Sequence, residues 1–171
     1  SPANIFWVDD HAINALGAKL SAGTTFDASA IKFLEHYPQF MEPVTIVSQG
    51  FAEALFPKQD ALGKTFYDNH GTPYKIIGII GHLHGSWVGW DKVDRVVLNP
   101  MIGPQPRTRY IVRARPGEID RVMAETEVAL RKRDPNRVIG KLKKMSDHKK
   151  SSYAGDSLMA VTLTVVTGLV L

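Results

Sequence analysis

Cysteine is absent from all 171 residues, which excludes disulfides, thiolate metal sites and a cysteine nucleophile together, and fits either side of a bacterial membrane. The body of the chain also lacks net charge. Five lysines and one aspartate within residues 141–150 account for the whole +4, leaving 16 basic and 16 acidic side chains elsewhere. Nucleic-acid binding by the body then has little electrostatic footing, because neutralising phosphates needs a basic surface. A bilayer-length apolar run is missing as well. The uncharged stretch 157–171 holds fifteen residues, and a helix of that length reaches roughly two-thirds of the way across a hydrocarbon core. There is no internal repeat, no low-complexity linker and no segment resembling a signal peptide, so the chain, opening at Ser1, reads as a piece of something longer.

With 44% apolar and 22% charged residues the composition is that of an ordinary globular protein, long enough for one domain or for two small lobes sharing a core. The most informative stretch is its end, where KLKKMSDHKK (141–150) is followed by SLMAVTLTVVTGLVL (157–171), with nothing charged after Asp156. An amphipathic helix docked on its own domain would suit Thr162, Thr164 and Thr167. Met159, Ala160, Val161, Leu163, Val165, Val166 and Leu169, however, point all round a helical cylinder and leave no clean polar stripe. The favoured reading is the truncated start of a transmembrane helix over 151–171 behind a body spanning 1–150, its lysines placed beside anionic lipid head groups.

Along the body, residues 4–8 read as a strand, Asp9 or Asp10 caps a brief helix to Leu16, and Gly17 ends it. Asp27 is expected to cap a second helix carrying Ile31, Phe33, Leu34 and Tyr37, stopped by Pro38. The β-branched run 44–47 reads as a strand, and Ser48 caps a helix whose face is Phe51, Ala52, Leu55 and Phe56. Residues 65–67 and 74–80 form an expected hairpin about Asn69-His70-Gly71, its second strand apolar enough to be buried on both faces. Strands are expected at 95–98, at 109–114, where Tyr110, Val112 and Ala114 alternate with Ile111, Arg113 and Arg115, and at 138–144. Between them 118–134 is the clearest helix, with Ile119, Val122, Met123, Thr126, Ala129 and Leu130 on one face, an acidic start and a basic end. This order predicts an α/β or α+β fold with helices packed on a mixed sheet.

Three motifs invite chemistry. Gly63-Lys64-Thr65 ends like a phosphate-binding loop, but a helix precedes it, a strand follows it and position 58 is lysine, so a turn with Gly63 at positive φ is expected instead. His82 and His84, two apart, would face one way on an extended chain and could share a metal with His11, Asp9 or Asp10, although a solvent-facing histidine pair is the simpler reading. No serine sits in a G-x-S-x-G elbow and no paired-carboxylate motif occurs, so no catalytic residue, metal or cofactor is assigned. Trp87 and Trp90, in the glycine-rich loop 82–92, suit either an anchor for a protein partner or membrane interface, or a cover over the core.

Residues 44–80, VTIVSQGFAEALFPKQDALGKTFYDNHGTPYKIIGII, resemble the periplasmic core domain of MacB-like and FtsX-like ABC transporter permeases. The signature is a strand, a helix ending in Leu55-Phe56-Pro57, then Asp60, Leu62-Gly63-Lys64, and a glycine-turned hairpin entering Ile77-Gly78-Ile79. Upstream, Trp7-Val8-Asp9 through Leu16-Gly17 and Leu20 to Gly23 and Phe26 is similar to the family's opening segment, with Thr24 where the family usually has arginine. Downstream, Tyr110-Ile111-Val112-Arg113, the amphipathic helix, Asp134-Pro135 and a strand into an apolar helix follow in the family's order. The resemblance implies a non-enzymatic extracytoplasmic domain of a permease in the bacterial inner membrane, coupling movements of membrane helices to a periplasmic conformational change during export of peptide, lipoprotein, lipid or drug. Implied partners are a cytoplasmic ABC ATPase reached through the membrane part, a second permease copy, a periplasmic adaptor and membrane lipids. Trp87, Trp90, Lys143, Lys144, Lys149 and Lys150 are the candidate contact residues. The alternatives are a ligand-sensing module of a membrane receptor, marked by a concave polar pocket, and a soluble enzyme, marked by perturbed carboxylates or histidines in one.

A free apolar helix in water is costly, so without lipid the 157–171 tail should pack against another copy of the chain. Light scattering tests this: a strict monomer at high concentration, with the tail shielded by its own body, would refute it.

Overall fold

The computed structural model describes residues 2–33, 43–86, 89–103, 108–136, 138–154 and 159. The chain divides into two compact units, Ser1–Arg113 and Ala114–Leu171. The first contains β1 (Asn4–Trp7), α1 (Ala12–Leu16), β2 (Leu20–Gly23), a single 3₁₀ turn (Ala28–Ala30), β3 (Lys32–Phe33), β4 (Val44–Ser48), α2 (Gln49–Leu55), β5 (Thr65–Tyr67), β6 (Pro73–Ile80), β7 (Val96–Asn99) and β8 (Met101–Ile102). The main sheet runs β1-β7-β4-β6-β2, with β5 on β6 and a separate β3-β8 pair. It is mixed: β1 with β7 and β4 with β6 are parallel, while β4 with β7, β2 with β6 and β5 with β6 are antiparallel. An α+β fold, a mixed sheet with helices packed on it, is therefore what the chain forms.

Strand β4 is paired on both sides, and Thr45, Ile46, Val47 and Ser48 are all buried. Alternate side chains feed two cores. Val47, Ile76, Ile79 and Val97 join Phe51 and Ala52 of α2 on one face; Ile46, Ile80, Val96 and Leu98 join Ile13 of α1 and Phe26 on the other. Each fully buried aliphatic side chain contributes about 1.5–3 kcal/mol. Phe66 of β5 extends the first core, edge-on to Phe51 at 5.3 Å and stacked on Tyr74 at 5.6 Å.

A bulge makes both cores possible. Thr45 pairs with Ile76 but Ile46 with Gly78, so Ile77 is an extra residue in β6. The alternation reverses there, and Ile76 and Ile79 face one core while Ile77 and Ile80 face the other. Strand β2 carries the matching irregularity at Ser21, since Leu20 pairs with Ile80 and Ala22 with Ile79. Where β2 leaves the sheet, Gly23 at φ +82° opposes Gly78; a Cβ on Gly23 would lie 2.1 Å from the Ile77 carbonyl, and one on Gly78 2.6 Å from that of Thr24. Only glycine allows this approach.

Ser48 ends β4 and caps α2 as expected, and its hydroxyl does more. It accepts from Phe51 N–H at 3.4 Å and from Val96 N–H at 2.8 Å, and donates to the Asp94 carbonyl at 2.5 Å, tying strand, helix and β7 together. Nearby, Thr45 Oγ1 lies 2.9 Å from both the Leu98 carbonyl and Asn99 Oδ1, acceptors that its single proton serves alternately.

The strand at the start of the chain, the 65–80 hairpin and the strand over 96–98 form as the sequence predicts. Gly17 ends α1 in the left-handed conformation, but the Asp9 carboxylate accepts from His11 N–H, closing the turn before the helix rather than capping it. Asp27 does accept from the backbone of Ser29 and Ala30, yet the chain turns only once and then extends as β3, parallel to β8. Ile31 and Phe33 suit a strand, and a short helix without a packed face is marginal, so the pairing with Met101 and Ile102 wins; the remainder of the expected helix, at Leu34, Tyr37 and Pro38, lies outside the described residues.

The expected strand at 109–114 does not form. Tyr110, Ile111 and Val112 are exposed, and Arg113 Nε–H donates instead to the Ala15 carbonyl at the end of α1. Alternation specifies two faces but supplies no neighbouring strand.

The second unit contains α3 (Ile119–Arg133) and α4 (Met145–Ser152). Helix α3 is the one its apolar spacing predicts, with Val122, Met123, Thr126 and Leu130 half-buried along one side. Arg121 bridges Glu118 and Glu125, and Arg131 pairs with Glu127, surface pairs of small individual worth. The strand expected at 138–144 is irregular chain, with Val138 at 95% exposure, because no strand among the described residues pairs with it. Apart from Met159, everything past Ala154 lies outside the described residues, including most of the expected membrane-helix start. No helix among the described residues is long and apolar enough to cross a membrane.

Removing the Ser48 hydroxyl (Ser48→Ala) takes away a helix cap and leaves a buried Val96 N–H without its acceptor, so stability should fall by about 3 kcal/mol. Denaturant midpoints at unchanged slope measure this. A second prediction concerns Asp68 in the hairpin turn, whose carboxyl partial burial pushes up, but which backbone N–H groups of Thr72 and His70, the Thr72 hydroxyl and the His70 charge bring below the ordinary carboxylate range. A lowered folded pKa means its contribution is complete above the unfolded value and is lost as pH falls through the folded one. Stability should therefore drop below about pH 4, and Asp68→Asn should be less stable at neutral pH with a flatter acid limb. Identical acid limbs in thermal melts of the two proteins would refute this.

Candidate functional site

The loop after β6 folds back onto β1. Gly85 N–H donates to the Val93 carbonyl at 2.7 Å, Val93 N–H to that of Trp90 at 3.1 Å, and Asn4 N–H to that of Arg95 at 2.8 Å. Along 81–85 the chain alternates half-buried and exposed residues, so Leu83 packs on the sheet while His82 and His84 both face solvent. The spacing places the two histidines on one side, as predicted, but brings no third ligand: no group of three His, Asp or Glu able to hold a metal occurs among the described residues. His11 stands beside Asp10, Nδ1 to Oδ2 3.9 Å, in the turn before α1. Trp90 is half-buried in the loop turn; Trp87 lies outside the described residues.

Gly63 takes φ +77° in a turn leading into β5, and its N–H donates to the Ile76 carbonyl at 2.8 Å. Lys64 is committed elsewhere, its ammonium donating to Gln59 Oε1 and lying 4.9 Å from the centre of the Phe56 ring. The phosphate-loop likeness is thus a turn between α2 and β5 with Gly63 at positive φ, as its context predicts.

The four candidate lysines separate by environment. Lys144, at the start of α4, is half-buried and donates to Asp120 Oδ1 at 2.7 Å, a bond that holds its ammonium above the usual lysine range. Lys143 is exposed just before it, and Lys149 and Lys150 are exposed in the last turn of α4. Basic residues in that turn suit the negative end of the helix dipole. Two residues that the sequence reading passed over belong with them: Met145 and Tyr153, 59% and 39% exposed, flank Lys149 at i−4 and i+4. The signal was present as a one-face spacing, but Met145 lay within a decapeptide read only for its charge and Tyr153 three residues past it. Sequence reasoning also passed over Ile5 and Trp7, 59% and 41% exposed on the outer strand β1.

No protein-family model and no curated protein matches the chain. Several solved structures are similar to it, among them these two. One is the extracellular domain of a noncanonic ABC-type transporter, YknZ, from Gram-positive bacteria, at TM-score 0.41 and 20% identity over 56% of this chain and 42% of that one. The other is the periplasmic region of MacB from Actinobacillus actinomycetemcomitans, at TM-score 0.44 and 15% identity over 75% of this chain and 56% of that one. The chain thus spans about half the length of the solved chains it matches.

Proposed function

We propose that the chain is the body of an extracytoplasmic domain of an ABC transporter permease subunit, followed from 151 to 171 by the start of a transmembrane helix. It hydrolyses nothing itself. Its role is mechanical: a stiff domain between membrane helices turns their relative displacement, driven by an ATPase on the cytoplasmic side, into a change of periplasmic surface during translocation of a peptide, lipoprotein, lipid or drug.

The observation that carries this reading is where the family-like segment lies. Residues 44–80 supply β4, α2, β5 and β6, the strand paired on both sides, the helix over one core and the hairpin, so the ordered signature coincides with the interior of the sheet. A sheet with cores on both faces resists bending, because close-packed interiors transmit displacement rather than absorbing it. Partners consistent with the role are the ATPase, a second permease copy, a periplasmic adaptor and membrane lipids.

The absence of cysteine makes a direct test possible. A single cysteine in place of Tyr67, which is 68% exposed, can be spin-labelled in the parent transporter reconstituted in liposomes with its ATPase. The distance between labels on two permease copies should change by several ångströms, on the order of an interface shift, when ATP binds. An unchanged distance, with ATP hydrolysis intact, would defeat mechanical coupling.

A further inference from the structure

Charge is divided unevenly between the two units. Residues 1–113 carry ten basic and ten acidic side chains, whereas residues 114–171 carry eleven basic and seven acidic. Within the second unit carboxylates neutralise part of the excess, pairing with Arg121, Arg131 and Lys144. No carboxylate pairs with Lys149 or Lys150 among the described residues. At about 100° per residue, Met145 and Lys149 fall in one stripe of α4 that the C-cap residue Tyr153 continues, Lys150 lies about 60° beyond Tyr153, and Asp147 lies on the opposite side. Apolar residues on both sides of an exposed lysine set a hydrophobic contact and a cation next to each other, the two kinds of contact that the head-group boundary of an anionic bilayer offers.

We propose that α4 docks on an anionic bilayer surface through this stripe, Met145 and Tyr153 entering the head-group boundary and Lys149 and Lys150 meeting lipid phosphates. The occupant follows from charge complementarity and from the sequence, because the uncharged apolar stretch 157–171 begins within a few residues of Tyr153. Lys144, held by Asp120, orients the start of the helix instead of meeting lipid. The inference deepens the membrane contact in the proposed function and rests on that reading only in placing a bilayer near the chain.

The test is co-sedimentation of the whole 171-residue chain with vesicles of phosphatidylcholine alone and of phosphatidylcholine mixed with phosphatidylglycerol. The expected result is a preference for the anionic vesicles that shrinks as salt rises. Lys149→Gln with Lys150→Gln should reduce that preference roughly thirty-fold, since each lysine near the surface accounts for about a five-fold factor. Met145→Ser with Tyr153→Ser should weaken binding to both vesicle types. Lys132→Gln with Arg133→Gln, the same charge change at the end of α3, should leave the preference within about threefold. Circular dichroism of these surface variants should match the parent protein. Equal, lysine-independent binding to both vesicle types would overturn the proposal while leaving the permease reading intact, because the apolar stretch would then carry the contact alone. An equal loss in the α3 variant would overturn it too, as would tight binding to duplex DNA without preference for anionic vesicles. A static label distance in the transporter would defeat the permease reading without touching this one.

Discussion

The hydroxyl of Ser48 is where the first unit is joined. It sits at the last residue of the strand paired on both sides, it is buried, and its partners belong to a helix N-terminus and to a neighbouring strand. A buried N–H without an acceptor costs more than an ordinary hydrogen bond contributes, so one small side chain that satisfies a helix donor and a strand donor together sets where β4 stops, where α2 starts and how β7 lies alongside. The order β7-β4-β6 and the placement of α2 over the first core follow from that junction and from the β-branched run before it.

Around this junction the sheet must keep two faces dry with strands of only three to eight residues. The bulges at Ile77 and Ser21 solve this by changing the parity of β6 and β2 together, which keeps Ile79 opposite Ala22 and Ile80 opposite Leu20, each pair on its own core. Gly23 and Gly78 then let the two chains approach where any side chain would strike a carbonyl. A surface that moves as one piece suits the coupling role proposed here, while the second unit carries the surplus positive charge and the exposed helix face suited to lipid. The electrostatics and the rigidity thus belong to different stretches of chain.

Where a residue's local chemistry determines its structure, the sequence was legible. Ser48, Gly17, Gly63, the hairpin turn and the 119–133 helix were all readable from cap, turn and period rules, and the mixed-sheet class followed from their order. The misreadings share one cause. Asp27 does cap its turn, yet Lys32 and Phe33 found a ladder partner some seventy residues away. Tyr110 to Arg113 alternate like a strand, but Arg113 reaches the end of α1. Residues 20–23, Leu-Ser-Ala-Gly, have little strand character and become β2 because the edge of β6 is there to be paired. Of the candidate contacts, the lysines were visible as a charge run; that Lys144 is spent on Asp120 and that Met145 and Tyr153 flank Lys149 was not.

By itself, then, the sequence determined the elements whose hydrogen bonds close within a few residues, the absence of thiol chemistry, and the confinement of net charge to the stretch ahead of an apolar run, because each depends on neighbours along the chain. Only the tertiary structure decided which strands pair, where the alternation reverses, and which basic side chains remain available. Those outcomes depend on partners distant in sequence, and a backbone edge or a carboxylate takes whichever partner the packed chain brings within reach.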